Sequence, residues 1–370
     1  VFVRFARGAY VSVSRSLGRN AALTLAYRPE LTELQRASEL TFCVNFLACA
    51  ENIEELSDAL SEPHWLSPLT LSYTMDRTDA LFTPSRGYIL RADLEYASRS
   101  TGSDFAYTRL LGEGSAYMGE PEGLILAARV RGGIGWPHEG VSGIGLNPQK
   151  RFFAGGPNSV RGFDQYRLGP TLLGIDAVPW LVDGDDPATE RADGAGCTAA
   201  AVNAGSCDAG MLASGLFDLR PSGGEVLLEG NLELRFPIPV LSGRVRGAAF
   251  VDAGQVWTSR DDVALAGVVT TPGVGLRYYS PIGPIRLDAA FNPRGPESLR
   301  VITTQVASCK AGQPSCERVQ YREPRDFLTN TDDVTLLNPR VVYGSSLDEI
   351  DSVSDFFRRF KLHFSIGQAF

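Results

Sequence analysis

The run Arg151-Phe152-Phe153-Ala154-Gly155-Gly156-Pro157-Asn158-Ser159-Val160-Arg161-Gly162-Phe163 decides how the rest of this chain is read. It joins a Gly-Gly-Pro-Asn turn to a single arginine held between Val160 and Gly162-Phe163. Glycines 155, 156 and 162 permit tight backbone paths that side chains would block. On spacing alone, an arginine before a glycine is ordinarily a surface residue in an exposed turn. What lies on either side of the run argues for a different setting.

Working outward, apolar and polar residues alternate with a period of two in several segments, the mark of a strand with one apolar face. In 225–236, Leu228, Leu232, Leu234 and Phe236 share one face, with Glu229, Asn231, Glu233 and Arg235 on the other. In 244–257 the polar set is Arg244, Arg246 and Asp252, opposite Val245, Ala249, Val251 and Trp257. Segment 284–291 sets Ile285, Leu287, Ala289 and Phe291 against Arg286 and Asp288. The C-terminal segment sets Phe360, Leu362, Phe364, Ile366 and Phe370 against Lys361, His363 and Ser365. With 1–14, 20–28, 68–76, 87–97, 104–117, 122–133 and 271–280, about eleven strands are expected.

The connections alternate in length. Residues 17–19, 118–121, 237–243 and 281–283 are tight turns, whereas 29–67, 134–224 and 292–359 are long. Outer-membrane barrels have this asymmetry, with short periplasmic turns and long external loops. The connections at 77–86 and 98–103 fit it less cleanly. A soluble β-sandwich with large insertions is the alternative, and it does not explain why long and short connections take turns. Within the long loops, 51–60 and 347–357 have helical apolar spacing and read as small capping helices. Trp136, Trp257, Tyr278 and Tyr279 are candidates for interfacial aromatic girdles.

The six cysteines fall into three close pairs, Cys43/Cys49, Cys197/Cys207 and Cys309/Cys316, one in each long loop. Disulfides persist at oxidising cell surfaces, where they staple loops that lack a core. None of the pairs has Cys-x-x-Cys spacing, and His64, His138 and His363 are scattered, so no zinc site is expected. The acidic run 183–186 fits no standard calcium loop and reads as solvated surface. No metal and no cofactor are expected.

Composition sets outer bounds. The formal charge of −8 over 370 residues argues against a nucleic-acid partner, which needs clustered Lys and Arg. No apolar stretch reaches the length of a transmembrane helix. At 44% hydrophobic residues, a soluble protein and a membrane β-barrel look alike, so pattern must separate them. Nucleophile-elbow, zinc-protease and phosphate-loop motifs are all missing, and the chain does not read as an enzyme. It opens at Val1 with no signal-peptide pattern and is expected to be a processed or truncated piece of a longer protein.

The opening run resembles the signature of the BamA/TamA superfamily of outer-membrane assembly and secretion barrels. Four later segments resemble it in the same order: 230–237 (GNLELRFP), 250–257 (FVDAGQVW), 273–286 (GVGLRYYSPIGPIR) and the aromatic-ended 364–370 (FSIGQAF). Asp76-Arg77 and 82–87 (FTPSRG) also resemble a family turn. The resemblance implies a transmembrane antiparallel β-barrel in the bacterial outer membrane, 16-stranded and preceded by POTRA domains. About the last eleven strands would be present as one barrel domain over 1–370; because unpaired edges do not persist in hydrocarbon, the natural protein would supply the missing strands at its N-terminus, where the family also carries its POTRA domains.

The resemblance also implies roles. Arg161, with Gly162 and Phe163, would sit on a loop folded into the lumen, Phe163 at its tip, with Glu233 and Asp252 receiving the guanidinium. Gly155 and Gly156 would form the loop turn. Phe364, Ile366, Gly367 and Phe370 would supply the C-terminal signal and one edge of a lateral seam. Function would be templated insertion of nascent outer-membrane β-barrel proteins into the lipid bilayer, through a lateral seam between the first and last strands, with accessory lipoproteins as further partners. The alternatives are a two-partner secretion pore, another protein-translocating pore, and a passive porin or surface-antigen barrel.

Overall fold

A segment that alternates apolar and polar residues has one face for lipid and one for the interior, and it needs neighbours on both edges. In the computed structural model eleven such segments join into one sheet. The structure describes residues 4–34, 62–138, 146–175, 181, 196–212, 217–238, 245–280, 283–294, 297–308, 317–320, 324–343 and 359–367. In chain order the strands are β1 (Arg4–Gly8), β2 (Val11–Ser16), β3 (Ala21–Tyr27), β4 (Glu30–Leu34), β5 (His64–Leu66), β6 (Leu69–Asp76) and β7 (Gly87–Ala97). There follow β8 (Tyr107–Gly119), β9 (Ile125–Pro137), β10 (Thr171–Gly174), β11 (Asp218–Pro221), β12 (Val226–Pro237) and β13 (Val245–Trp257). The last are β14 (Val269–Ser280), β15 (Gly283–Phe291), β16 (Glu297–Ser308), β17 (Glu317–Gln320), β18 (Pro324–Tyr343) and β19 (Phe360–Ile366).

The large sheet runs β19-β15-β14-β13-β12-β9-β8-β7-β6-β3-β2, antiparallel throughout. All eleven expected strands are present in it. Boundaries shift by a few residues at β8 and β9, and the first expected strand, 1–14, divides. Its outer part, β1, pairs instead with β4, which pairs with β5 in a separate three-stranded sheet. Among the described residues, β2 and β19 end the large sheet with one partner each.

Register carries the polarity of one strand to the next. On the outer face Leu126, Leu234 and Ala249 stand side by side, as do Leu276, Leu287 and Phe364. Leu362, Phe364 and Ile366 of β19 are 73%, 69% and 61% exposed, and Val130 and Val274 of β9 and β14 are similarly bare. The inner face is the reverse, burying Arg129, Glu229, Glu233, Arg246, Asp252, Arg277, Arg286 and Asp288. Among the described residues no helix is long and apolar enough to cross a membrane, which says nothing about strands.

The long connections hold more order than loops. A second sheet, β11-β10-β16-β18-β17, is built from 134–224 and 292–359, with β10 and β16 parallel. It packs on a five-residue helix, α1 (Ala199–Asn203), around Leu173, Leu181, Val202, Val301 and Leu337. Successive residues Val301, Ile302 and Thr303 are all buried, so neither face of β16 shows the alternation that marks a half-buried strand. Cys197 and Cys207 form a disulfide beside this core, Cα atoms 5.8 Å apart. Cys43, Cys49, Cys309 and Cys316, both expected capping helices and the 183–186 run lie outside the described residues. Of the girdle candidates, Tyr278 is exposed on the outer face, while Tyr279 has the inner parity. Trp257 is buried, its indole near Gly267 in the β13–β14 connection, and so does not face lipid.

Candidate functional site

Residues 146–168 lie against the inner face of the large sheet. At their entry Lys150 meets Glu95 of β7 at 2.6 Å, and Arg109 of β8 stacks on Phe152, 4.3 Å from its centroid. The Arg151 Nε donates to the Leu146 carbonyl at 2.9 Å. Gly155 and Gly156 have φ near +100°, a conformation costly for any residue with a Cβ. Ser159 then ties the turn to itself and to the wall: its hydroxyl accepts from Gly155 N at 2.8 Å and donates to Glu229.

Arg161 is 1% exposed. Its Nε and Nη2 donate to Oδ2 and Oδ1 of Asp252, each at 2.8 Å, a bidentate fork. Its Nη1 donates to Glu233 Oε2 at 2.6 Å, and its backbone N–H to Asp252 Oδ2 at 3.0 Å. Asn231 Nδ2 donates to Asp252 Oδ1 at 2.8 Å, so this carboxylate accepts four hydrogen bonds, its full capacity. The guanidinium lies over Phe250, 3.3 Å from the ring centroid, a cation–π contact that desolvation strengthens. Glu233 and Asp252 are not direct cross-strand partners: Glu233 faces Phe250, and Asp252 faces Asn231. They converge because both have inner parity one register row apart, which leaves Phe250 between them as a floor.

The sequence-level reading missed the outer ring of this cluster. Glu233 also accepts from Arg235 Nε and Arg277 Nη2, both at 2.8 Å. Arg277 Nη1 donates to Asp288 at 2.5 Å, and Asp288 lies 3.7 Å from both Arg161 and Arg286. Four buried arginines (161, 235, 277, 286) thus meet three buried carboxylates (233, 252, 288), leaving one positive charge in excess (4 − 3 = 1). The loop covers it with neutral acceptors: Asn158 Oδ1 takes Arg286 Nη2 at 2.5 Å, and the Pro157 carbonyl takes Nη1 at 3.3 Å. Arg246, Arg277 and Arg286 are cross-strand neighbours in one register row, an arrangement of like charges that is unfavourable without such partners. Arg246 finds its own in the Pro121 and Gly123 carbonyls. Parity alone marks Arg235, Arg277, Arg286 and Asp288 as inward-facing, the one signal by which they were findable.

Gly162 crosses β14 so closely that a Cβ there would run into Cβ and Cγ2 of Thr271. Phe163 packs inward. It is 6% exposed within an apolar cluster of Phe152, Ala154, Val160 and Leu168 from the loop and Leu227 and Val256 from the wall. At the end of the sheet, Phe364 and Ile366 of β19 point outward, and Gly367 (φ +103°) donates to the Pro284 carbonyl at 2.8 Å. Phe370 lies outside the described residues. Among the described residues no group of His, Cys, Asp and Glu is arranged to hold a metal.

A model of the Omp85 superfamily domain matches residues 5–370. The chain belongs to the Omp85 superfamily. Barrels of this superfamily are bacterial outer-membrane channels for protein insertion and translocation rather than enzymes, and the outer membrane is where this chain resides. The crystal structure of BamA from Haemophilus ducreyi lacking POTRA domains 1-3 is similar in fold, with a TM-score of 0.52 and 17% identity. The alignment covers 91% of this chain and 55% of that one, so this chain spans about half the length of that crystallised chain. CdiB from Acinetobacter baumannii aligns at 13% identity and a TM-score of 0.37, over 78% of this chain and 39% of that one.

Proposed function

We propose that this chain is the barrel portion of an outer-membrane assembly protein that inserts β-barrel clients through a lateral seam beside β19. The carrying observation is a pairing of opposites within one sheet. Five strands, β12 to β15 and β19, are gathered on their inner face by the Arg161 segment, while the outer face of β19 is bare and apolar. A terminal strand with one hydrogen-bonded edge is a template on which another strand can pair, and in lipid such pairing satisfies backbone groups that water cannot reach. Membership of the Omp85 superfamily supports this use of the edge. The lock would keep the wall intact while the seam moves. No bond is made or broken in a client, and the reading needs no cofactor.

The test is depletion of the full-length protein in its host, followed by quantitative proteomics of the outer membrane. A broad fall in unrelated β-barrels is the expected outcome. Loss of one or a few proteins would replace general assembly with dedicated secretion, and no loss would leave a passive or surface role. Locking β19 by an engineered cross-link to the opposing edge should stop insertion; undiminished insertion would overturn the seam.

A further inference from the structure

We propose that Arg161 is also the inner latch of the terminal strand, with His363 and Lys361 as its positioning residues. This rests on the seam reading above. It starts from a contact that the arginine–carboxylate lock does not use. The side chain of Arg161 faces β12 and β13, but its backbone carbonyl points the other way, and His363 Nε2 of β19 donates to it at 2.8 Å. Three residues along the loop, Asp164 Oδ2 accepts from Lys361 Nζ at 2.7 Å.

β19 offers three inner-parity side chains below Phe360: Lys361, His363 and Ser365. Two of the three are bound to the loop. In the sheet, β19 is joined on one edge only among the described residues, by the seven register pairs from Phe291↔Phe360 to Ile285↔Ile366. The strand is therefore held from two directions, in plane by β15 and from inside by residues 161–164. His363 is also the register neighbour of Asp288, whose carboxylate lies 3.7 Å from Arg161 Nη1. One residue, Arg161, thereby carries the wall lock on its side chain and the strand latch on its carbonyl. A displacement of the loop that breaks the first must withdraw the acceptor of the second. The Lys361–Asp164 pair is half-exposed and contributes little by itself; His363, on a backbone acceptor of a buried residue, carries the latch.

The test places thiol-independent spin labels at the outward positions 362 on β19 and 71 on β6 of the full-length protein in native outer membranes, and reads the distance distribution. Neither label touches the inner face. The native protein should give one narrow distribution. Lys361→Ala with His363→Ala should raise a displaced population about fivefold, the effect of losing one neutral hydrogen bond. Arg161→Ala should raise the same population, although the His363 acceptor is still present in its backbone. His363→Gln keeps a donor at similar reach and should restore the native distribution. Should the alanine pair not assemble, Lys361→Asp raises the displaced population and addition of Asp164→Lys lowers it again. Ser365→Ala, on the same face but away from the loop, should change nothing. Distributions unchanged in both the alanine pair and Arg161→Ala overturn the latch, whatever client insertion does. A displaced strand with insertion unaltered keeps the latch and overturns the seam reading instead.

Discussion

Arg161 is worth more than an ion pair because three kinds of contact end on it: a bidentate fork to Asp252, a single bond to Glu233, and the face of Phe250. A buried pair that loses one member leaves the other uncompensated, typically at a cost of about 3–5 kcal/mol. Arg161→Ala should therefore lower the temperature at which the folded band is lost in semi-native electrophoresis and expose residues 151–168 to protease. Arg161→Lys should be nearly as severe, since an ammonium can neither fork onto Asp252 nor stack flat on Phe250; native thermal resistance in the lysine variant would refute that reading. Gly162 supplies an independent handle. Gly162→Ala should lift the loop from β14, and Thr271→Gly, which removes both atoms in the way, should recover much of the loss when combined with it. Arg161, Glu233 and Asp252 were legible because parity put both acids on the inner face and the family resemblance supplied the arginine. Phe250 was not, since an apolar residue on the polar face has no signature until a cation is seen above it.

The strands of the large sheet were legible for the reason that they exist: one face meets lipid, and a period of two follows. Strands β10, β11 and β16 to β18 were hidden because they pair with one another away from the lipid-facing sheet, and β10 and β16 bury successive residues with no period of two. Order in that layer is tied to Cys197–Cys207, which closes a short loop on α1. A crosslink of this span typically contributes about 2–4 kcal/mol. Cys197→Ser with Cys207→Ser should thus leave heat-modifiable migration of the barrel unchanged while limited proteolysis between 196 and 221 becomes faster. Equal protease resistance with and without the disulfide would show that the core alone orders the layer. The connection between β6 and β7 is held differently. Asp79 accepts from the Ser85 hydroxyl and from the backbone N–H groups of Ser85 and Arg86. These bonds, the Ser85 hydroxyl first, bring its carboxyl from the usual range down to about 2. A depressed carboxylate stabilises the folded turn above its ordinary pKa and loses that contribution as pH falls toward 2. Carboxyl-resolved NMR titration should show this midpoint, and Ser85→Ala should move it upward; an Asp79 that titrates normally in the native protein would mean the turn does not bind its carboxylate.

For the molecule as a whole, the two faces of the sheet obey opposite rules, and this makes its membrane orientation measurable without reference to any client. The outer face carries Leu126, Val130, Leu234, Val274, Leu276, Leu287 and Phe364, whereas charge is confined to the inner face and the ends. That division was readable from alternation alone, because a period of two names faces; the same pattern is silent about edges. Val274 is 62% exposed near the middle of β14, so Val274→Arg places a guanidinium in hydrocarbon, at about 2–4 kcal/mol by the cost of such residues at mid-membrane depth. Arg91 of β7 has the opposite parity and meets Glu113 at 3.1 Å with more than half its side chain open. Arg91→Ser loses only a half-exposed pair and should cost at most about 1 kcal/mol. Reversible urea unfolding of the full-length protein from phospholipid vesicles compares the two directly. If Arg91→Ser proved as damaging as Val274→Arg, the charged face would be turned toward lipid, and the interior position of the Arg161 cluster would fall with it.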